Sequence, residues 1–441
     1  MSKIKNFRWW IAGLLALATA LNYLDRQSFP VVVGELKKEI PLTDEQYGQI
    51  TSLFLLAYAL MYAGGGRLMD RLGTRLGYAV MIVWWSVANC LMGAVSSILG
   101  LAVFRFLLGM GEGGGFPGSS KAVAEWFPPR ERAMAFGIFN TGSAVGAVIA
   151  PPLIAIIAST LGWRWVFYIT GSAGILWALI WFGIYRPPAA SSLVTAEELS
   201  VIQSAQSAGC SADDANPAPT MRWTGFFRIG EVWGLMLAKF LSDSAWFFFI
   251  FWLPKYLSDV RHLDIKQIGY FAWVPYAFAG VGSLMSGVFS SILLRFNCSV
   301  NQTRKIALGL SAALLPASLL IVAAPLNFAV AFFSLVMFGH QFFAAVVMTL
   351  PTDLFPSKVV GSVGGLLGSA GSFGAMLFSL VVGWLVAHHG FGPAFIIAGV
   401  LHPLAFLVIL VTVRSIAPLP PANLQNLEFQ ACIPHGDIDD R

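Results

Sequence analysis

Arg105 and Glu112 lie inside an apolar run from about Ile98 to Val123, long enough to cross a bilayer as a helix. A charge in mid-membrane costs roughly 2.5–3.5 kcal/mol on insertion scales. Seven residues apart, the two sit two helical turns apart on one face, about 10 Å. Intramembrane charges usually mark a substrate or proton path; the competing reading is a structural ion pair between helices. The glycines of Phe104–Gly118, FRFLLGMGEGGGFPG, allow another helix to pack close. Gly109-x-Gly111-x-x-Gly114 also matches the dinucleotide fingerprint. That fingerprint needs a preceding strand and a helix N-terminus at its glycines, and here membrane-length apolar sequence flanks it.

Further polar groups interrupt other apolar runs. In Asn22-Tyr23-Leu24-Asp25-Arg26-Gln27, adjacent Asp25 and Arg26 point about 100° apart on a helix, so both cannot face lipid cheaply. Arg26 suits a fixed positive charge for an anion and Asp25 a proton carrier; the alternative is a local pair capping a short helix. Lys239, Asp243 and Trp246 share one helical face by i, i+4, i+7 spacing. Lys239 either binds substrate or snorkels toward a membrane surface, and Asp243 can neutralise it. Trp246 offers an apolar platform for a sugar ring, or plain packing. His340 and Gln341 are polar groups in another apolar helix, and Tyr58, Ser369 and Ser372 are candidate hydroxyl contacts. No nucleophile–base pair and no metal-ligand set stands out, so the reading is not an enzyme, with no cofactor and no metal.

Composition sets the frame. Of 441 residues 57% are hydrophobic and only 11% charged, with mean hydropathy +0.73, against about 25% charged in soluble domains. The net charge of +5 does not point to nucleic acid, because the basic residues sit at the ends of apolar segments. Cys90, Cys210, Cys298 and Cys432 are scattered, which implies neither a disulfide framework nor a zinc site. The basic N-terminus followed by an apolar run is not read as a cleaved signal, since Asn22, Asp25 and Arg26 interrupt it.

Apolar runs of spanning length recur at about 9–33, 46–69, 76–96, 98–123, 132–160, 164–185, 231–257, 266–294, 304–323, 326–350, 359–387 and 391–413. The expected fold is an all-α integral membrane protein of twelve transmembrane helices. Between the sixth and seventh lies a polar stretch with one short surface helix expected around 195–208, and the tail after Arg414 is Pro-rich and expected to be poorly ordered. The expected units are a six-helix bundle over 1–186, a linker over 187–228, a second bundle over 229–414 and a tail over 415–441. The distribution of Lys and Arg predicts both termini on the cytoplasmic side.

The halves repeat. A shift of 228 residues carries Glu125-x-Phe127-Pro128-x-Arg130 onto Asp353-x-Phe355-Pro356-x-Lys358, Gly162 onto Gly390, Gly171 onto Gly399 and Glu112 onto His340. Two pseudo-symmetric six-helix halves around a central site is a transporter architecture. In the loop after the second helix, Gly66, Asp70, Arg71, Gly73 and Arg75 place an acid and several bases at helix ends. They read as a conformational latch acting through neighbouring helix termini, against plain charge-set topology.

The loop motif Gly66 to Arg75, Arg105-x-x-x-Gly109-x-Gly111 and Pro117 resemble the major facilitator superfamily over nearly the whole chain. NYLDR, Glu112, EWFPPRER at 125–132 and GWRWVFYITG at 162–171 resemble its anion:cation symporter family. Lys239 to Trp246 followed by Trp252-Leu253-Pro254, with His340-Gln341, look most like that family's hexuronate transporters. The resemblance implies proton coupling through Asp25 and Glu112, and anion binding or carboxyl control through Arg26 and Arg105. It implies substrate contacts from Tyr23 and Tyr58. Lys239 and Ser372 depart from the aldonate pattern, which leaves a uronate open. The expectation is a proton-coupled importer of monovalent sugar acids, hexuronates first, in a bacterial inner membrane, acting as a monomer among lipid. Galactonate, glucarate or an aromatic acid is the alternative substrate, and a non-transporting nutrient sensor a distant alternative.

Overall fold

The computed structural model describes residues 3–208 and 223–419; Cys210, Cys432 and most of the expected tail lie outside them. The architecture is all-α. Helix α1 is Phe7–Leu36. Helices α2 and α3 are the two limbs of Asp44–Met92, broken at Gly73. Helix α4 is Ile98–Trp126, with a turn at Gly114. Helices α5 and α6 are Pro129–Leu161 and Trp163–Ile184. The second half holds α7 (Gly230–Asp259), α8 (Ile265–Arg295), α9 (Val300–Leu320), α10 (Leu326–Leu354), α11 (Ser357–His389) and α12 (Gly392–Thr412). Among the described residues these helices coincide with the twelve apolar runs of the sequence, and ten continuous helical stretches, Asp44–Met92 counted as one, are long and apolar enough to cross a membrane. Exposed side chains such as Leu99, Leu284 and Val411 ring the outside, a surface suited to lipid rather than water.

Local chemistry fixes the ends. Thr43 with Gln46, Asp264 with Gln267 and Ser299 with Gln302 form reciprocal capping boxes at α2, α8 and α9, which satisfy orphan N–H groups. Pro128 and Pro356 stand at the same place before α5 and α11. The expected surface helix spans Ala196–Ala208. Its Glu198 accepts from the backbone N–H groups of Phe7 and Arg8 at 2.9 and 3.0 Å. A linker carboxylate thus caps the positive end of α1.

The repeat is visible in three dimensions. Gly162 and Gly390 both turn the chain with positive φ, 96° and 73°, at the α5–α6 and α11–α12 joints. Glu125 accepts from Thr74 Oγ1 at 2.6 Å, tying α4 to α3. Its counterpart Asp353 accepts from Arg304 Nε at 2.8 Å, tying α10 to α9.

The halves meet along α1 with α7, α2 with α11, and α5 with α8. At the end of the bundle away from the chain termini, the seam is sealed. Tyr47 donates its hydroxyl to the Phe251 carbonyl at 2.5 Å and packs edge-on against Trp252 at 4.9 Å. Ser52 donates to the Met376 carbonyl at 2.9 Å. Above these, Lys255 contacts Asp44 and Asp259, and Lys37 lies 3.5 and 3.2 Å from the same two carboxylates. Each half supplies one lysine and one aspartate to this cluster. Beside it, hydrogen bonds from Arg164 and the Trp163 indole hold the Glu39 carboxyl below its ordinary pKa. The face away from the termini is therefore closed by contacts between the halves.

Candidate membrane transport site

Glu112 is brought to Arg26, not to Arg105. Arg26 Nε and Nη2 both reach Glu112 Oε2 at 2.9 Å, and Nη2 also donates to Asn22 Oδ1 at 3.0 Å. The guanidinium lies between the rings of Tyr23 and Tyr58, 4.8 and 4.9 Å from their centroids, where cation–π attraction favours it. These residues line a cavity of about 100 Å³ in the first half, which Ser119, Asn140 and Ser143 extend.

Arg105 has a different environment. Its Nη2 donates to the Arg26 carbonyl at 2.9 Å, and its guanidinium is boxed by Phe54, Phe29 and Phe251 at 4.6, 5.3 and 5.7 Å. Phe251 belongs to α7, so this cation sits on the seam between the halves. The glycines of α4 make its depth possible. A Cβ at Gly109 would lie 2.3 Å from the Phe54 carbonyl oxygen, and one at Gly111 would lie 2.6 Å from the Trp85 side chain. Helical packing, not nucleotide binding, accounts for the Gly109-x-Gly111-x-x-Gly114 spacing.

Asp25 points away from Arg26, as adjacency on a helix requires. It is fully buried and accepts from Asn89 Nδ2 at 2.7 Å; the same nitrogen lies 2.7 Å from Thr170 Oγ1. Asp25 Oδ2, Glu112 Oε1, Asn22 Nδ2 and Arg105 Nε and Nη1 are buried with no hydrogen-bond partner among the described residues. Native interiors leave few such atoms, and five of them gather around Asp25, Glu112 and Arg105.

In the second half Lys239 Nζ pairs with Asp243 Oδ1 at 2.7 Å. Trp246 stacks face to face on His340, with centroids 4.6 Å apart and planes 8° from parallel. His340 Nδ1 lies 2.9 Å from Nε2 of His402, a residue that sequence reasoning missed. One face of α7 thus carries the Lys239–Asp243 pair and the Trp246 ring that stacks on His340. Ser372 returns its hydroxyl to the Gly368 carbonyl at 2.9 Å, and Ser369 Oγ is buried without a partner among the described residues. Gln341 is half-buried on α10. Of the predicted site residues, Tyr23, Arg26, Tyr58 and Glu112 line the first-half cavity; the α7, α10 and α11 candidates lie across the seam. Asn22, Asn89 and Thr170 were missed as partners, although each is a polar residue in an apolar run.

Among the described residues, the ion pair and hydrogen bonds seen at the residues expected to form a latch lie within their own half. Asp70 pairs with Lys121 of α4 at 2.8 Å, and Arg75 donates to the Phe182 carbonyl of α6 at 3.0 and 2.6 Å. Arg71 is exposed on the same turn. Gly73 has φ 72° and ψ 156°, a region open essentially to glycine alone, at a cost of about 1–3 kcal/mol for other residues. Gly73→Ala is therefore expected to lower the apparent Tm in detergent. Gly66→Ala, in open space within a regular helix, is expected to leave it unchanged or raised. Equal effects of the two would remove the strain argument.

Several known transporters are similar to this chain over most of its length. The chain is 34% identical to a hexuronate transporter of Escherichia coli K12 over 412 residues, covering 93% of this chain and 94% of that protein. It is 33% identical to a galacturonate transporter of Dickeya chrysanthemi over 71% of this chain and 91% of that protein. It is 31% identical to a D-galactonate transporter of E. coli O6:H1 over 88% and 91%. Among solved structures, a bacterial homologue of the human lysosomal transporter Spinster superposes with TM-score 0.73 at 20% identity, over 97% of this chain and all of that one. A D-xylose–proton symporter gives TM-score 0.72 at 17% identity, over 94% and 98%. The Major Facilitator Superfamily family model matches residues 15–339, and with these relatives it shows that this multi-pass membrane protein belongs to the major facilitator superfamily, whose members are transporters and not enzymes.

Proposed function

We propose that the protein imports monovalent sugar acids, hexuronates first, together with protons. The observation that carries this reading is the charge ledger of the centre. Arg26, Arg105 and Lys239 carry three positive charges and Asp25, Glu112 and Asp243 three negative ones, all buried. With every group ionised the set is neutral, so an incoming anion would bring an uncompensated charge into a low-dielectric interior, at a cost of several kcal/mol. One proton on a carboxylate restores neutrality. Protonation of Glu112 frees Arg26 for the substrate carboxylate, and Asp25 is placed to hold a second proton. Each anion therefore enters with at least one proton.

The boundaries of the moving units follow the repeat: halves 1–186 and 229–414 rock about the site, joined by the linker 187–228 and followed by the tail 415–441. With the termini in the cytoplasm, as the Lys and Arg distribution favours, the sealed face is the outward one. Uronate transport by two relatives supports the hexuronate assignment, and the Lys239–Asp243 pair adds a second cationic anchor opposite Arg26. The galactonate transporter among the relatives makes an aldonate the second reading. The chain acts as a monomer in the inner membrane of a bacterium on this reading.

Purified protein in liposomes with an inward proton gradient tests it. Glucuronate or galacturonate is expected to accumulate, and a protonophore to abolish the accumulation. Accumulation of galactonate or glucarate with flat uronates would replace the hexuronate assignment.

A further inference from the structure

We propose that His402 on α12 is a positioning residue that fixes the tautomer of His340, so that His340 offers its Nε2–H as a hydrogen-bond donor to the transported anion. The inference rests on the proposed placement of His340 at the substrate site.

The two rings are 1% and 0% exposed, meet at 84° with centroids 5.0 Å apart, and share one hydrogen bond, His340 Nδ1 to His402 Nε2 at 2.9 Å. An uncharged pair can make that bond in two ways. If His340 donates from Nδ1, His402 accepts at Nε2 and must carry its own proton on Nδ1. That Nδ1 is buried with no partner among the described residues, so an N–H would be left with nothing to donate to. If His402 donates from Nε2–H, its Nδ1 is a bare lone pair. Orphaned buried donors are rarer than under-satisfied acceptors, and leaving a buried donor unpaired carries a desolvation penalty. The second arrangement moves the free N–H from the sealed His402 Nδ1 to His340 Nε2, which is not among the fully buried unpartnered atoms, and it is therefore favoured.

The surroundings give that proton a use. One face of the His340 ring is covered by Trp246, and its Nδ1 is committed to His402. The Nε2 edge is the remaining polar group. Trp246, Asp243 and Lys239 share a face of α7, so the second half presents a fixed neutral donor together with the Lys239 ammonium. A hexuronate has carboxylate and hydroxyl oxygens to accept from both. The repeat shift places His340 where the first half has Glu112. The halves thus divide the work: the acid takes up protons, and the imidazole, with its tautomer locked, reads oxygen acceptors.

The test combines a spectroscopic and a transport readout. In protein carrying ¹⁵N-labelled histidine in nanodiscs, with His340 assigned by its loss in His340→Gln, the wild type is expected to show the Nε2–H tautomer at His340. His402→Phe is expected to give a mixture or the Nδ1–H form. An Nδ1–H form in the wild type, or a tautomer unmoved by His402→Phe, overturns the proposal. In proteoliposomes, His402→Phe is expected to raise the KM for the uronate about tenfold with Vmax near wild type, the size of one hydrogen bond. His402→Gln, whose amide can replace the Nε2–H donor, is expected to stay within about twofold of wild type. Equal KM in wild type and His402→Phe overturns the positioning role. Absence of uronate uptake by the wild type would instead overturn the substrate assignment, and the tautomer measurement would still decide the His402 inference.

Discussion

Glu112→Gln is expected to abolish uphill accumulation of the anion while leaving it able to bind and exchange. Glu112 is the sole acidic partner of Arg26 among the described residues, through two contacts of 2.9 Å to one oxygen. Glutamine keeps the shape and removes the charge. Arg26 then stands as a permanent cation for the substrate carboxylate, and no proton is needed to release it. Substrate affinity should lose most of its pH dependence, and uptake should follow the anion's own gradient. Removing one partner of a buried pair costs about 3–5 kcal/mol, so the substrate-free variant is expected to be less stable and to be rescued by the anion. The checks are accumulation ratio, counterflow and apparent Tm with and without substrate. Accumulation against a gradient by Glu112→Gln would remove Glu112 from the coupling path.

The second large effect is expected from Lys255→Met. The Lys255 ammonium is fully buried between Asp44 and Asp259, one from each half. Lys37 is the other cation of the cluster, at 3.5 and 3.2 Å. Deleting Lys255 leaves two carboxylates, each about a quarter exposed (27%), facing one lysine across the seam. Repulsion then favours separation at the far face, moderated by solvent screening. A bias of about 1.4 kcal/mol already moves the equilibrium tenfold. Spin labels at the exposed positions Lys38 and Lys266, one on each half, are expected to report a longer distance in Lys255→Met than in the parent. Unchanged distances would mean that the aromatic and hydrogen-bonded contacts of Tyr47 and Ser52 hold the face shut without the ion cluster.

The far-face cluster shows where the sequence was hard to read. Lys37, Asp44, Lys255 and Asp259 sit at helix ends, where charge is cheap, so they read as topology alone; only the docking of the halves makes them a cluster. The spans were legible because a bilayer demands about twenty apolar residues per helix. The repeat was legible because a constant offset carries Glu125 onto Asp353 and Gly162 onto Gly390. Which acid meets which base was not. Arg105 and Glu112 share a face of α4, but pairing across helices depends on rotation and depth, and these gave Arg26 the carboxylate and Arg105 an aromatic box. Asn89 and His402 were visible as polar residues in apolar runs. Their meaning came only from the neighbours, Asp25 and His340, that packing brings to them.

The claim that neutrality at the centre requires at least one proton per anion is tested most directly by the equilibrium accumulation of a uronate in proteoliposomes under an imposed pH gradient. The membrane potential is clamped at zero and sodium is excluded. The account predicts that the accumulation ratio rises about tenfold per pH unit for each proton carried, and that Glu112→Gln flattens this slope. Accumulation that ignores the pH gradient in the wild type, and follows sodium or the anion's own gradient instead, would contradict it.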